Sequence, residues 1–289
     1  MIKKLNKIKV HCWGGLGSQL FAWAIAEQIL QRYPKKHVVL VLHTGGVTKR
    51  KSDIDFLSNK FELVYRDDYK PEQNSQKILF SKNQPIVRLI KNLLSHFDLI
   101  HTSENLTDIE NLKPWTRSLR GHYTNIVLSK EIVKLMISQI PDLKIGNSNF
   151  SDSLPINLAI HYRLGDLLEL EDKTYIEPDR LGQQIKKLVS LIDFEVVTLF
   201  SDDVKSAKSM LNKFLNLRIE YCNQEIWETL LELCNNKYFI GTNSKISIWA
   251  TIFRITSGTE CESYLPYSMK DNLEVVFPDS QNLKNIKYF

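Results

Sequence analysis

The sequence contains no long hydrophobic run. No uninterrupted apolar stretch reaches the roughly 18 residues that a membrane-spanning helix needs. The stretch from residue 16 to residue 30 is interrupted by Gln19, Glu27 and Gln28, and it starts too late and is too polar for a secretory signal peptide. We therefore expect a mature chain that begins at or near Met1 and stays in the cytoplasm.

Cysteine is scarce as well. The chain has four cysteines among 289 residues, with no C-x-x-C pair and no zinc-finger spacing. This pattern favours neither a disulfide framework nor a cysteine-based metal site. We expect buried thiols in a reducing compartment at Cys12, Cys222, Cys234 and Cys261.

Basic blocks interleaved with aromatic residues are also missing. The net charge is +5 at pH 7 and the pI is near 8.8, but the charge is spread along the chain and no nucleic-acid motif accompanies it. Nucleic acid is therefore not an expected partner, whereas an anionic small ligand or a membrane-associated acceptor suits the basic balance. The composition, 43% hydrophobic and 25% charged, is that of a globular protein, and 289 residues suit two domains.

The sequence does have a regular alternation of strand-like and helix-like segments. Before residue 141, apolar runs and 3.6-residue periods predict strands at 9–13, 37–43 and 118–123 and helices at 19–31, 86–94 and 129–140. After residue 155 they predict strands at 156–161, 196–200, 218–222 and 237–241 and helices at 178–190, 203–215, 224–235 and 245–255.

Residues 141–155 concentrate Pro, Gly, Asn, Ser and Asp between two periodic segments, which predicts a domain boundary. The predicted domains are 1–145 and 155–289. Strands separated by helices of this length imply parallel, doubly wound sheets. The sequence therefore predicts an α/β fold of two Rossmann-like domains that face each other across a cleft.

The segment from His161 to Asp166, H-Y-R-L-G-D, follows a predicted strand. The carboxyl ends of parallel strands line the crevice in which open α/β folds bind ligands. The guanidinium of Arg163 suits bidentate binding of a phosphate, while Gly165 permits a sharp turn and Asp166 can orient Arg163 or His161. The structural alternative is an ion pair of Arg163 with Asp166 beside a satisfied histidine. The position at a strand edge favours a functional site.

A glycine turn, G-G-L-G at residues 14–17, connects the first predicted strand to the first predicted helix. Glycines at such a turn allow backbone N–H groups to approach a ligand at the helix N-terminus. The turn has neither the G-x-G-x-x-G fingerprint nor a P-loop lysine. Taken alone, the turn is a weak signal, and a tight turn whose glycines supply positive φ angles is the favoured explanation.

Two further strand ends carry polar residues. Asp202 and Asp203 follow the strand at 196–200; we assign Asp203 to the N-cap of the next helix and Asp202 to ligand hydroxyls or a base edge. Asn243 and Ser244 follow the strand at 237–241, where they cap a helix whose N–H groups can also bind an anion. Trp249, in the middle of that helix, is a core residue in this interpretation.

No nucleophilic triad and no metal site is indicated. Neither the adjacent pair at 202–203 nor the pair at 67–68 has the further ligands that a metal needs. Glu169, Glu171 and Asp172 form an acidic cluster just after Arg163; a solvated loop is the ordinary explanation, although a general base can come from such a group.

Taken in order, these segments resemble the α-1,2-fucosyltransferase family (glycosyltransferase family 11). The family motif H-x-R-x-G-D is matched in full by residues 161–166, and F-S-D/N-D by residues 200–203. The family segment G-G-L-G-N-Q-L/M-F-Q-Y-A is similar to residues 14–24, G-Y-F/W-Q to residues 121–124, and A-N-S-S-F-S-W-W-A to residues 242–250. The similarity runs from residue 11 to about residue 253.

The chain departs from the family pattern at several positions. They are Ser18 and Ala22 in the glycine-rich segment, Thr124 in the second segment, and Lys245, Ile246 and Ile248 in the last. The first two segments are those expected to shape the acceptor side, so the departures leave the acceptor and the linkage open. The arginine motif, which is retained, implies that a nucleoside diphosphate is still bound.

The resemblance implies a GT-B type, metal-independent, inverting glycosyltransferase. It implies transfer of fucose from GDP-fucose to a galactoside hydroxyl in α-1,2 linkage, in bacterial surface polysaccharide synthesis, with no cofactor. Arg163 would neutralise the departing diphosphate together with helix N–H groups near Asn243 and Ser244. The implied substrate-binding residues are Gly15, Gly17, Gln19, His122, Tyr123, Asp202, Asn243, Ser244 and Ser247.

The resemblance leaves three choices open. The general base is one of His161, Asp166, Glu169 and Glu171. The acceptor is an oligosaccharide or a lipid-linked glycan, reached with at most peripheral contact at the inner face of the membrane. The alternatives in function are a non-catalytic nucleotide-sugar binding protein and a transferase of similar scaffold that uses another GDP-sugar.

Overall fold

The computed structural model describes residues 6–44, 51–67, 89, 93, 100–102, 109, 112–141, 143, 156–168, 175–212, 218–258, 261–281 and 283–289. The chain divides into two compact units, Met1–Leu128 and Ser129–Phe289. The predicted boundary at 141–155 and the predicted helix at 86–94 fall largely outside the described residues. The predicted domain limits therefore stay predictions.

The first unit is built on a parallel sheet. Its strands are β1 (Lys7–Trp13), β2 (His37–His43), β3 (Glu62–Arg66), β4 (Ile100–Thr102) and β5 (Ser118–Arg120), in the order β3-β2-β1-β5-β4. Helix α1 (Leu16–Arg32) connects β1 to β2. The strand order reverses between β1 and β5, and such a switch point is where open α/β sheets bind ligands.

Helix α1 is buried on almost every side, which explains its nearly continuous apolar sequence. It packs against β1 and β2 and against a 3₁₀ helix, Asp55–Asn59, whose Phe56 meets Trp23 edge to face at 5.6 Å. The one acid in its buried stretch, Glu27, accepts hydrogen bonds from Lys60 Nζ at 2.7 Å and from Trp23 Nε1 at 2.9 Å. A buried carboxylate needs such partners.

The second unit is built on a six-stranded parallel sheet in the order β11-β10-β9-β6-β7-β8. Its strands are β6 (Asn157–His161), β7 (Val196–Phe200), β8 (Glu220–Cys222), β9 (Tyr238–Ile240), β10 (Glu262–Leu265) and β11 (Ile286–Tyr288). Its helices are α2 (Lys130–Gln139), α3 (Pro178–Leu191), α4 (Val204–Leu211), α5 (Ile226–Asn235), α6 (Lys245–Ser257) and α7 (Lys270–Val276). The switch point lies between β6 and β9.

A buried cation ties several of these elements together. The guanidinium of Arg254 in α6 is fully buried and donates to backbone carbonyls at the end of α5, Leu233 at 2.8 Å and Asn236 at 2.5 Å. It also donates to Lys237 O at 3.0 Å and Glu262 O at 2.9 Å, at the starts of β9 and β10. The negative end of the α5 dipole suits a cation at this place.

The predicted fold class, two Rossmann-like parallel α/β sheets, is confirmed. The strands at 37–43 and 196–200 have the predicted bounds, and Ser129 is the predicted N-cap of α2, with Ile132 N donating to Ser129 Oγ at 3.4 Å. The sequence did not predict β3, β4, β10, β11 or α7. The prediction of buried thiols is confirmed at Cys12, Cys234 and Cys261 and is wrong at Cys222, which is half-buried. Among the described helices, none has the length and hydrophobicity that crossing a membrane requires.

Candidate functional site

Hydrogen bonds join the ends of the two strands that flank the switch point of the second unit. His161 ends β6, and its Nδ1 lies 3.0 Å from Ser247 Oγ in α6. Thr242, just after β9, donates from Oγ1 to His161 O at 2.9 Å and accepts from Arg163 N at 3.0 Å. Thr242 N donates to Ser247 Oγ at 3.2 Å. The loop that carries Arg163 is therefore fixed to the start of α6.

His161 is the neutral member of the site. The pKa of its imidazole is lowered to about 4, chiefly by burial and also by the nearby Arg163, while Asp202 opposes the shift. At pH 7 the ring therefore carries no charge, and it cannot supply the cation for a diphosphate. A ring with so low a pKa is also a weak general base.

Arg163 forms an ion pair with Asp202, which follows the neighbouring strand β7. Arg163 Nη1 lies 2.6 Å from Asp202 Oδ2, and Asp202 Oδ1 accepts from Leu164 N at 2.9 Å and Gly165 N at 3.1 Å. The alternative ion pair of Arg163 with Asp166 stays a prediction, because the side chain of Asp166 lies outside the described residues. The two carboxyl ends are adjacent because His161 of β6 is in register with Phe200 of β7. The Arg163 side chain remains 21% exposed.

Gly165 is required by a close approach to this carboxylate. A Cβ at residue 165 would lie 2.2 Å from Asp202 Oδ2 and 2.9 Å from Asp202 Cγ. Any larger residue would push the carboxylate off the two N–H groups that it accepts from. The glycine of the motif thus serves the Asp202 contact.

The start of α6 follows the expected capping pattern. Ser244 is the N-cap, and its Oγ accepts from Ile246 N at 3.2 Å. Asn243 Oδ1 accepts from Ser268 Oγ at 2.9 Å. Ser247 is fully buried, so its hydroxyl serves to orient His161 in this structure. Trp249 is fully buried, which confirms its core assignment.

Among the other acidic residues that the sequence analysis considered as a cap or as a general base, one is confirmed as a helix N-cap. The side chains of the rest lie outside the described residues. Asp203 is the N-cap of α4, because its side chain accepts from Ser206 N at 3.0 Å, and this bond lowers the pKa of its carboxyl. The side chain of Asp166 lies outside the described residues, as do Glu169, Glu171 and Asp172. The choice of general base among them stays open.

In the first unit, the glycine turn caps α1 and is braced by Gln19. Gly14 has φ +104°, and Gly15, the N-cap residue, accepts from Ser18 N at 2.9 Å. Gln19 is buried; its amide donates to Lys51 O at 3.0 Å and accepts from Asp53 N at 2.8 Å. Gly17 is also buried, within the first turn of α1. The substrate contacts predicted for Gly15, Gly17 and Gln19 stay predictions.

His122 and Tyr123 follow β5 at the switch point of the first unit. His122 is exposed, whereas Tyr123 is buried and has a positive φ of 58°. Tyr123 Oη lies 2.5 Å from His11 O and 2.9 Å from Leu119 O, so it fastens the end of β5 to β1. The substrate contacts predicted for these two residues likewise stay predictions.

Two sets of residues at the switch points were missed by the sequence analysis. Thr242 joins β6 to β9, and the order of those strands cannot be read from the sequence. The second set, in the first unit, comprises His11, Trp13, His43, Arg66 and Arg120. The sequence did contain one signal for such a set: a polar or aromatic residue at the end of an otherwise apolar strand, as His43 is in β2.

The described residues were also considered as a possible metal site and for further cavities. No group of three or more His, Cys, Asp or Glu side chains in that part of the chain could hold a metal ion. The first unit has an open cavity of about 520 Å³ near the amino ends of β1 and β2, lined in part by Tyr33, Lys36, Trp115 and Arg117. None of the predicted site residues lines this cavity.

Comparison with known proteins gives similarity in fold only. No protein-family model matches the sequence, and no curated protein matches it. Among solved structures, the E. coli heptosyltransferase WaaC with ADP is 10% identical, with TM-score 0.48 over 98% of this chain and 92% of that chain. NodZ alpha-1,6-fucosyltransferase soaked with GDP-fucose is 13% identical, with TM-score 0.42 over 86% of this chain and 92% of that chain. POFUT1 in complex with GDP is 13% identical, with TM-score 0.41 over 91% of this chain and 99% of that chain. Membership in the α-1,2-fucosyltransferase family stays a prediction.

Proposed function

We propose that the protein is a glycosyltransferase that binds a nucleoside diphosphate sugar at the switch point of the second unit. The observation that carries this proposal is the position of Arg163: a partly exposed guanidinium, oriented by Asp202, at the carboxyl edge of a parallel sheet. A guanidinium in that position suits the oxygens of a diphosphate. The 13-residue helix α6 begins beside it and adds the positive end of its dipole.

In the proposed reaction, the bond between the anomeric carbon and the diphosphate oxygen breaks while an acceptor hydroxyl attacks from the opposite face. The configuration is inverted, and the acceptor proton passes to a general base. The charge that develops on the diphosphate is stabilised by Arg163, because His161 is neutral. The candidate bases remain His161, Asp166, Glu169 and Glu171.

We propose GDP-fucose as the donor and a galactoside hydroxyl as the acceptor, on the strength of the motifs at residues 161–166 and 200–203. Asp202 is 30% exposed and accepts hydrogen bonds in the retained F-S-D-D segment, which supports a donor-side role for that segment. The mildly basic chain suits an oligosaccharide or lipid-linked glycan acceptor at the inner face of the membrane. Metal independence belongs to the same proposal.

The donor is tested by thermal unfolding and calorimetric titration of the full chain with GDP, ADP, UDP, GDP-fucose and GDP-mannose. A ligand at 100 times its dissociation constant stabilises the folded state by about 2.7 kcal/mol, so the true donor raises the melting temperature. We expect GDP and GDP-fucose to give the largest shifts, with transfer to a galactoside that persists in excess EDTA.

Other outcomes have definite meanings. Preference for a different nucleotide would contradict the donor assignment, and activity that returns only with added Mn²⁺ or Mg²⁺ would contradict the metal-independent class. Tight GDP-fucose binding with neither transfer nor slow donor hydrolysis would identify a non-catalytic binding protein.

Gly165→Ala tests the contact between Gly165 and Asp202. The added Cβ displaces the Asp202 carboxylate from Leu164 N and Gly165 N and turns Arg163 away from its fixed position. Because hydrogen bonds to a charged group are worth about 1.5–3 kcal/mol each, we expect GDP affinity to fall by about 10-fold or more. The measurement is calorimetric titration with GDP, combined with urea unfolding.

Gly258→Ala is the matched control. Gly258 ends α6 with φ +72°, and a Cβ there would meet no atom within 4 Å. The control should therefore lose stability through backbone strain, about 1 kcal/mol, while it keeps its GDP affinity. Equal GDP affinities in Gly165→Ala and wild type would refute the proposed role of the glycine.

A further inference from the structure

Five side chains that the proposed donor site does not use meet at the carboxyl edge of the first sheet. Trp13, His43 and Arg66 end β1, β2 and β3 and lie in one register row. Arg120 ends β5 and is in register with His11 of β1. Residues in register on parallel strands, and residues two apart on one strand, share a face of the sheet. We call these five residues the first-sheet cluster.

The aromatic members of the first-sheet cluster form a packed layer. The rings of Trp13 and His43 are stacked, with centroids 4.3 Å apart and planes 10° from parallel. The His11 ring lies 5.3 Å from that of His43, and His11 Nδ1 is 3.0 Å from His43 Nε2. All three side chains are buried. The layer lies on β1 and β2, between the strands that carry the two arginines.

The charge around this layer has one sign. The pKa of His11 is lowered to about 3, chiefly by burial and also by its charged or titratable neighbours Arg120, His43, Arg66 and Lys9. Burial also lowers the pKa of Arg120, and Arg66 adds to this effect. Within the described ranges, no carboxylate forms an ion pair with Arg66 or Arg120. Two arginines, on the strands that flank β1 and β2, therefore have no carboxylate ion-pair partner in that part of the chain.

Two donors of the cluster also lack acceptors. Arg120 Nε and Trp13 Nε1 are buried and make no hydrogen bond to any residue that the structure describes. Buried donors are nearly always satisfied, and a half-buried cation such as Arg120 is unfavourable without a counter-charge. A ligand that brings oxygen acceptors and negative charge would satisfy both donors and both cations.

We propose that the first-sheet cluster binds an oxyanion, either a carboxylate or a phosphate, carried by the acceptor saccharide. Arg120 and Arg66 hold the anion, and Trp13 Nε1 donates to one of its oxygens or to a neighbouring hydroxyl. The assignment to the acceptor rests on the proposed function, in which Arg163 and α6 in the second unit hold the diphosphate of the donor. The acceptor is thus an acidic galactoside rather than a neutral one.

The proposal is tested first on the wild-type chain without nucleotide. Ligand-observed NMR titrations compare methyl galactoside, the methyl glycoside of galacturonic acid, and galactose 6-phosphate. We expect one of the two acidic sugars to bind at least about 10-fold more tightly than the neutral one, since charge-assisted hydrogen bonds are about twice as strong as neutral ones. Preference for the uronate identifies a carboxylate, and preference for the phosphate ester identifies a phosphate. Equal affinities for all three sugars would overturn the proposal.

Variants locate the binding site. Arg120→Gln removes the half-buried guanidinium, and we expect it to abolish the preference for the acidic sugar while GDP affinity stays within about 2-fold of wild type. Arg218→Gln, at an exposed position of the second unit, is the matched charge control and should keep the preference. If Arg120→Gln does not fold, Arg66→Gln, at an exposed strand end, should weaken the preference by about 3-fold or more. An unchanged preference in a folded Arg120→Gln or Arg66→Gln chain would overturn the proposal.

The same titrations separate this inference from the proposed function. Loss of GDP binding in Arg163→Ala, with the preference for the acidic sugar intact, supports two independent sites. A wild-type chain that prefers the acidic sugar but binds no GDP would refute the donor proposal and would overturn the assignment of the anion to an acceptor. A chain that binds GDP and transfers to neutral and acidic galactosides equally well would overturn the oxyanion proposal alone.

Discussion

Arg163→Ala is expected to reduce glycosyl transfer by about 10²- to 10³-fold or more in kcat, because one preorganised charge at a leaving group is worth that much. Arg163 is the charged side chain on which the proposed mechanism depends, since His161 beside it is neutral at pH 7. The KM for the donor should rise as well, because the guanidinium also binds the diphosphate of the ground state. The measurement is steady-state transfer from GDP-fucose to a galactoside, with GDP affinity determined in parallel.

Arg163→Lys separates charge from geometry. Lysine keeps the positive charge but loses the planar fork that binds two oxygens, so we expect partial GDP binding with strongly reduced turnover.

Asp202→Asn keeps the hydrogen bonds to Leu164 N and Gly165 N within reach but loses the ion pair with Arg163. It should lower kcat less than Arg163→Ala does. Arg218→Gln, which removes an exposed charge elsewhere, should keep the wild-type kcat. Turnover near the wild-type value in Arg163→Ala would show that Arg163 is not part of the mechanism.

The parts of the fold that the sequence could predict are those with a strong local pattern. The strand β2 is a fully apolar run and β7 nearly so, and helices α2 and α4 carry N-caps, Ser129 and Asp203, that the sequence alone identifies. Strands β4 and β11 are only three residues long and lie at sheet edges, and too few residues are present for a pattern. Tertiary pairing determines such strands.

The candidate site could be predicted as a set of strand ends but not as a set of contacts. Arg163 is found from its motif, whereas its partner depends on β6 lying beside β7, which brings Asp202 next to it. The alternative that pairs Arg163 with Asp166 rests on closeness in sequence, the only distance that a sequence provides, and the contact with Asp202 could not be found in that way. The hydrogen bonds of Thr242 and the first-sheet cluster could not be predicted for the same reason. Each joins strands whose order in the sheet has no local signal in the sequence.

Arg254→Leu is expected to lower the free energy of unfolding of the second unit by at least about 4 kcal/mol. Leucine cannot donate to the carbonyls of Leu233, Asn236, Lys237 and Glu262, and an unsatisfied buried acceptor costs about 1–3 kcal/mol. Because whole domains are stable by only about 5–15 kcal/mol, most of the margin would be lost. Urea unfolding followed by circular dichroism, with hydrogen exchange of the α5 and β9 amides, measures the effect.

Two further variants test whether the hydrogen bonds of Arg254 or its charge stabilise the unit. Arg254→Lys keeps a cation at the negative end of the α5 dipole but has three donors on one atom, which cannot reach carbonyls spread over the end of α5 and the starts of β9 and β10. It should recover only part of the loss. Arg218→Leu, at an exposed position, should change stability by less than about 0.5 kcal/mol. If Arg254→Leu were as stable as Arg218→Leu, the junction of α5, α6, β9 and β10 would have to be held by apolar packing, and the buried guanidinium would not be a structural requirement of the second unit.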